Sequence, residues 1–296
     1  EFGKHSVGLT LLQSATGYHY EESSMAAEGI PLESAKWNAL SKENVSLLDE
    51  WNSGLIEKQL LSYMFRVNYD YNNKYLLTVS GRWDGASQLA EGNKWAFFPS
   101  AALGWRLDQE EFLKDVTWLN QLKFRLGVGV TGNSAIDPYQ TKGAIVSLYY
   151  PFGSALAPGY AASEPLIKDG AVAMANKNLS WEKTTQYNIG LDYSVLNGRI
   201  SGVLDFYTSR TTDLLMAMTI PSLNGYTNTY ANVGKTSNIG VDITLNTVNV
   251  KTRDFEWSTS INAAWQKDKI DELANGKEDD INNNWFIGQA LGVIYG

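Results

Sequence analysis

Long runs of strict two-residue alternation leave this chain few folds to choose from. In LLSYMFRVNYD, Leu61, Tyr63, Phe65, Val67 and Tyr69 share one face and Ser62, Arg66, Asn68 and Asp70 the other, the mark of an extended strand with two chemically distinct sides. The turn residues NNK follow. YLLTVSGRW then repeats the pattern, with Tyr75, Leu77, Val79 and Trp83 against Thr78, Ser80 and Arg82, so the two runs read as a tight antiparallel hairpin. The alternation returns in LKFRLGVGV, QYNIGLDYSV, ISGVLDFYTS, NIGVDITLN and WSTSINAAW. The opening EFGKHSVGLTLLQ also reads as a strand. About nine long strands are expected, each near or beyond the roughly 9 to 11 residues that cross a bilayer.

Alternation also suits a soluble sandwich, so the residues on each face decide. The polar face is mostly Asn, Ser, Thr, Gly, Asp and Arg rather than Lys and Glu, which suits a wet lumen better than a surface in bulk water. On the apolar face, Tyr69, Tyr75, Trp83, Tyr193, Trp257 and Trp265 fall near strand ends, where aromatic girdles meet a lipid interface. Composition agrees: 16 Tyr and 10 Trp with only 7 Pro in 296 residues favour long strands over helices. No apolar run reaches the length of about 18 residues that a transmembrane helix needs, which leaves a barrel open. A net charge of -8 argues against nucleic acid. With no Cys and only His5 and His19, disulfides, thiol nucleophiles and histidine-built metal sites are set aside, and no metal or cofactor is expected.

The connections are unequal. Short turns are expected at residues 72–74, 196–198 and 250–254, and long polar or aromatic connections over residues 14–57, 131–181 and after Lys267. Outer-membrane barrels pair short periplasmic turns with long extracellular loops. With the DQEEFLKDVTWLNQ connection counted as a longer periplasmic turn of some helical character, every strand direction agrees. The first residues carry no basic and apolar leader, so the chain is expected to be an internal stretch of a longer protein.

Several segments together resemble the SusC/RagA family of TonB-dependent transporters: YMFRVNYDYNNKYLLTVSGRWDGAS, WAFFPSAALGWRLDQEEFL, LKFRLGVGVTGN, NLSWEKTTQYNIGLDYSVLNGRISGVLDFYTSRTTDLL and YANVGKTSNIGVDITL, spaced through nearly the whole chain, with IGQALGVIYG at its end. The resemblance implies an all-β fold, an antiparallel transmembrane β-barrel segment belonging to a 22-strand barrel. Residues 1–296 would form part of that barrel, with the N-terminal plug, the TonB-engaging peptide and the last strands outside the chain. It implies import rather than catalysis in the outer membrane of a Gram-negative bacterium. An oligosaccharide or peptide would be captured under a SusD-like surface lipoprotein and drawn inward by TonB. Open strand edges are not tolerated in lipid, so other strands must complete the wall.

Loop aromatics are the expected ligand contacts, because Tyr and Trp faces stack on sugar rings or pack peptide side chains: Trp95, Tyr139, Tyr149 and Tyr160. The competing reading has them pack loops against each other or against the lid. Arg66, Arg82 and Arg125 fall on the lumen face, to guide an anionic ligand or to contact the plug. GVGVTG, Gly127 to Gly132, matches a dinucleotide-binding spacing but lies within a strand, where structural glycine is the better reading. Asp279 and Asp280 lack calcium-loop spacing. The adjacent pairs Glu110 with Glu111 and Glu21 with Glu22 would point to opposite sides of an extended chain, a poor catalytic arrangement. His5 is expected on a strand and His19 on a loop, neither beside a recognisable nucleophile. Two alternatives remain: a receptor for an iron chelate or vitamin working without a lid, and a soluble β-rich glycan-binding module.

Overall fold

The computed structural model describes residues 2–28, 34, 46–142, 146–153, 155–161, 174–221, 226, 228–274, 276, 278–281 and 284–291; for residues 27, 46–52, 146–152 and 155–161 only the backbone is described. Among the described residues thirteen strands follow one another: β1 His5–Glu28, β2 Ser46–Tyr71, β3 Tyr75–Ala86, β4 Trp95–Arg106, β5 Leu119–Asn133, β6 Val146–Phe152, β7 Ala155–Ala161, β8 Glu182–Val195, β9 Ile200–Thr212, β10 Leu215–Thr219, β11 Asn228–Asn232, β12 Lys235–Lys251 and β13 Glu256–Glu272.

Nine of them form one antiparallel sheet in the order β1-β2-β3-β4-β5-β8-β9-β12-β13, while β6 with β7 and β10 with β11 make separate two-stranded ribbons. Each neighbour in the wall is the next wall strand in sequence, so the sheet is an up-and-down meander, curved but not closed, with β1 and β13 at its edges. The nine expected strands are these nine.

Register fixes the two faces. Tyr63 pairs with Trp83, Val67 with Val79 and Tyr71 with Tyr75, and Trp83 continues to Phe97 and Tyr75 to Trp105, so the apolar rows run unbroken across strands. The aromatics gather in two bands. At the short-turn end His5, Tyr69, Tyr71, Tyr75 and Trp105 lie ring beside ring, with centroid separations of 4.9–6.4 Å. At the other end Tyr63 stacks on Trp95 at 6.2 Å and Trp83 meets Phe97 at 5.8 Å. Tyr63 and Tyr71, Tyr75 and Trp83, and Trp257 and Trp265 are each eight positions apart, about 26 Å of strand. That matches the apolar height of an outer-membrane wall, roughly 25 Å. Between the bands the outer face is exposed and apolar, with Leu9 at 65% and Leu103 at 54%.

The tight turns take positive backbone φ, mostly where the sequence supplies Asn or Gly. Asn72 and Asn73 sit at φ 56° and 53°, and Leu196, Asn197 and Gly198 at 54°, 55° and 77°. Asn tolerates that region and Gly is free in it, and the conformation suits the twist of adjoining strands. The β4–β5 connection holds two 3-10 turns, Leu107–Gln109 and Glu111–Leu113, in agreement with its expected helical character.

Two long connections are corrected. Residues 14–57 are not mainly loop, because β1 and β2 stay paired from His5↔Tyr71 up to Met25↔Trp51 and, past a register shift, to Glu28↔Ser46. Beyond Leu60, among the described residues, β2 pairs only with β1. The hairpin therefore rises as a bare two-stranded ribbon above the wall. Its sequence hides this because the described side chains of both faces are open to solvent there, so nothing enforces period-two alternation. Within residues 131–181, β5 runs on to Asn133, and β6 pairs with β7 from Val146↔Ala161 to Phe152↔Ala155. His19 lies on β1, paired across to Glu57, not on a loop.

Candidate functional site

The inner face of the wall is largely polar, and much of it is hydrogen-bonded from strand to strand. Thr78 donates to Asn68 (2.9 Å), Ser80 and Ser100 share a hydrogen bond (2.7 Å), Thr184 and Thr211 another (2.8 Å), and Thr244 donates to Asn262 (3.0 Å). Cross-strand hydroxyl and amide pairs of this kind hold a sheet without presenting an apolar surface. A solute passing along it would meet many weak hydrogen-bonding positions.

All three predicted arginines lie on this face, and two are already engaged. Arg82 pairs with Asp84 at 2.8 Å. Arg125 reaches across β8, holding Asp192 at 2.8 Å and Asp205 of β9 at 3.1 Å. The crossing depends on Gly190, where a Cβ would sit 2.6 Å from the Arg125 guanidinium and 2.5 Å from the Asp205 carboxylate. Arg66 is exposed and forms no ion pair among the described residues. Asp242 lies directly across from Asp205, so the β9–β12 part of the wall carries more acid than Arg125 balances. The sequence placed these residues on the right face but did not reveal their partners, because Asp192 and Asp205 lie 67 and 80 positions away from Arg125.

The main buried apolar cluster lies at the long-connection end, against the inner side of β4. Ala86, Leu89, Phe98, Ile136, Leu179 and Trp181 pack together, with Leu215 and Tyr230 beside them. Leu179 is fully buried and Trp181 only 5% exposed. Phe98 meets Trp181 edge-on at 5.2 Å. Polar ties fix the same segments: Trp181 Nε1–H donates to the carbonyl of Lys94 (2.9 Å), the Ala90 N–H to that of Leu179 (3.0 Å), and Asn176 to that of Tyr230 (2.8 Å). Asn232 and Ser180 exchange two bonds of 2.7 and 2.8 Å. Three connections, β3–β4, β5–β8 and β9–β12, are thus joined into one shelf on the inner wall. Little in the sequence signals it, since its members are dispersed and the loops show no periodicity.

The opposite end is tied by a carboxylate. Glu110 accepts from Lys74 (2.5 Å), the Tyr75 hydroxyl (2.9 Å) and Trp105 Nε1–H (2.9 Å). The hydrogen bond from Lys74, then that from Trp105, holds its carboxyl below the ordinary carboxylate range, and the same contact raises Lys74. Burial raises Asp108, but hydrogen bonds from Arg106, Gln109 and the Leu122 N–H outweigh it and leave that carboxyl low. Glu111 instead pairs with Lys114, so Glu110 and Glu111 serve separate structural contacts.

The predicted ligand aromatics do not converge. Trp95 is corrected from a loop to the first residue of β4, on the outer face and stacked on Tyr63, because register sets it across from Gly85. Tyr139 is on the loop after β5, 54% exposed with φ 75°. Tyr149 and Tyr160 belong to β6 and β7, and their side chains lie outside the described residues.

A family model described as "TonB dependent receptor-like, beta-barrel" matches residues 5–293. The chain belongs to that family. It is 38% identical over 255 residues to TonB-dependent receptor SusC of Bacteroides thetaiotaomicron, covering 82% of this chain and 24% of SusC. It is 32% identical over 309 residues to TonB-dependent receptor P3 of Formosa agariphila, covering 100% of this chain and 30% of P3. Among solved structures it resembles the RagAB peptide transporter, at 25% identity and a TM-score of 0.81 over 97% of this chain and 31% of that one. The chain spans less than a third of the length of these relatives. The TonB-dependent family is one of transporters and receptors of the outer membrane, not a class of enzymes. The short-turn end is then periplasmic, and the shelf and ribbon extracellular.

Proposed function

We propose that this chain supplies wall strands to a TonB-dependent outer-membrane importer of the SusC/RagA type, which takes up oligosaccharide or peptide beneath a SusD-like surface lipoprotein. The wall with its two aromatic bands, similar at a TM-score of 0.81 to the RagAB peptide transporter, carries the reading. Strands outside the chain complete the 22-strand barrel, a plug fills it, and TonB acts through the region N-terminal to the wall. The inner face supplies passage by exchange of weak hydrogen bonds, and no covalent step is needed.

The ribbon of β1 and β2 and the shelf of loops supply the extracellular contacts. Isolated two-stranded ribbons are marginal in water, and this one carries exposed Tyr18, Tyr20, Leu55 and Ile56, residues suited to a protein partner. Tyr139 and the β6–β7 ribbon, which carries Tyr149 and Tyr160, serve ligand or lid. Trp95 is given to lipid. Arg66 contacts the plug, whereas Arg82 and Arg125 shape the wall through their carboxylates.

Pull-down of the tagged full-length parent from detergent-solubilised outer membranes tests the proposal. A stoichiometric SusD-like lipoprotein is expected. A barrel recovered alone would favour a lidless chelate or vitamin receptor, and recovery only in the soluble fraction would overturn the membrane assignment.

A further inference from the structure

The outer face of the wall is apolar over most of its height, but at the extracellular end of β8, β9, β12 and β13 it turns basic. Alternation from Phe206, Tyr187, Ile239 and Trp265 puts five cations on that face: Lys183, Arg210, Lys235, Lys267 and Lys269. Register brings them together. Lys183 and Lys235 both pair with Thr212, Arg210 and Lys269 both pair with Ser237, and Lys267 pairs with Ile239. By the same alternation, no Lys or Arg of β1 to β5 falls on the outer face among the described residues. The charge is therefore a local patch, not a ring.

Two carboxylates answer part of it. Lys235 pairs with Glu272 at 2.5 Å and Lys269 with Asp271 at 3.1 Å, and Asp271 is within electrostatic reach of Arg210. Lys183, Arg210 and Lys267 are exposed and form no ion pair among the described residues. Five cations against two carboxylates leave a surplus of positive charge on open surface.

Height decides what meets that surplus. Toward the extracellular end, Lys267 and Lys269 stand two and four positions from Trp265, Arg210 four from Phe206, Lys235 four from Ile239 and Lys183 four from Tyr187. That is about 7 to 13 Å along the strand, or about 5 to 10 Å of height for strands tilted by roughly 40°. The headgroup layer over a hydrocarbon core is about 5 to 8 Å thick. Below the patch, Phe206, Ile239, Ile261 and Trp265 are exposed and apolar, a surface for acyl chains.

We infer that this patch binds the phosphate of an outer-leaflet lipid, on a wall whose outer side meets lipid as the importer reading requires. Arg210 offers a planar fork to two phosphate oxygens, and Lys183 and Lys267 act as mobile point charges around it. Juxtamembrane Lys and Arg attract anionic headgroups in this way. A soluble acidic protein would have to displace the headgroups to reach the same side chains, so a lipid is the occupant.

The test immobilises the full-length parent, washes it free of lipid in mild detergent, and offers it lipid A or the same lipid stripped of its phosphate. The phosphorylated form is expected to be retained at least tenfold more tightly. The combined variant Lys183→Gln, Arg210→Gln and Lys267→Gln is expected to reduce that preference below about twofold, while Lys251→Gln, at the periplasmic end of β12, leaves it unchanged. A second readout needs no variant. Raising salt from about 0.1 to 1 M shortens the screening length from about 10 to 3 Å and is expected to erase most of the parent's preference. Equal retention of the two lipids by a parent recovered from the outer membrane would overturn the patch and leave the importer reading standing, as would a preference indifferent to salt or to the triple substitution. Competition by soluble glucosamine 6-phosphate would assign the site to free phosphate and overturn the lipid. Recovery of the parent only in the soluble fraction would remove the membrane reading and the patch with it.

Discussion

Glu110 shows how one residue joins segments that the sequence keeps apart, since its three donors come from the β2–β3 turn, the start of β3 and the end of β4. Its lowered carboxyl contributes stability that is present above the ordinary carboxylate range and lost as pH falls through the lowered value. Lys74, raised by the same bond, contributes below the ordinary lysine range and ceases to as pH rises past its raised value. Glu110→Gln is therefore expected to lower the thermal midpoint in detergent most at neutral pH, with the gap to wild type closing in acid. An equal gap at all pH values would show that charge plays no part. Arg125 offers a second test at this scale. Asp205→Ala removes one of its two carboxylates from a partly buried site and is expected to cost about 1–3 kcal/mol in urea unfolding. Gly190→Val, which drives a side chain into the Arg125 contact, should cost at least as much as Asp205→Ala.

Among the elements, legibility followed the solvent. From Leu60 to Tyr71 and from Tyr75 to Ala86 each strand separates lipid from lumen, so alternation is enforced and the sequence displays it. Ser14 to Ile56 includes strand just as regular, but with both described faces wet, and no period betrays it. The turn at Asn72 and Asn73 was readable because positive φ selects few residues. The Trp181 shelf was not, because it joins Leu89 to Leu179 across 90 positions with no local pattern. Since Trp181 is nearly fully buried, Trp181→Ala is expected to cost about 3–5 kcal/mol. It should also expose residues 174–181 to limited proteolysis while the wall strands stay protected. The candidate ligand residues were the least legible: Trp95 was drawn to the membrane face by register.

The whole molecule is organised by one division, apolar side to lipid and polar side to lumen. Val79 lies midway between Tyr75 and Trp83 on the outer face, and Thr78 is its neighbour on the inner face. Arginine at Val79 should cost about 2–4 kcal/mol, as at the midplane of a barrel's lipid face, whereas arginine at Thr78 should be tolerated. The chain contains no cysteine, so a single engineered one in it marks a chosen position. The most direct measurement is spin-label accessibility at Val79→Cys and Thr78→Cys in the full-length parent reconstituted in bilayers, with oxygen as the lipid-soluble relaxant and a nickel chelate as the aqueous one. A label at position 79 is expected to be relaxed by oxygen and shielded from nickel, with the reverse preference at position 78. Equal nickel access at both positions would place water on both faces and contradict the membrane wall.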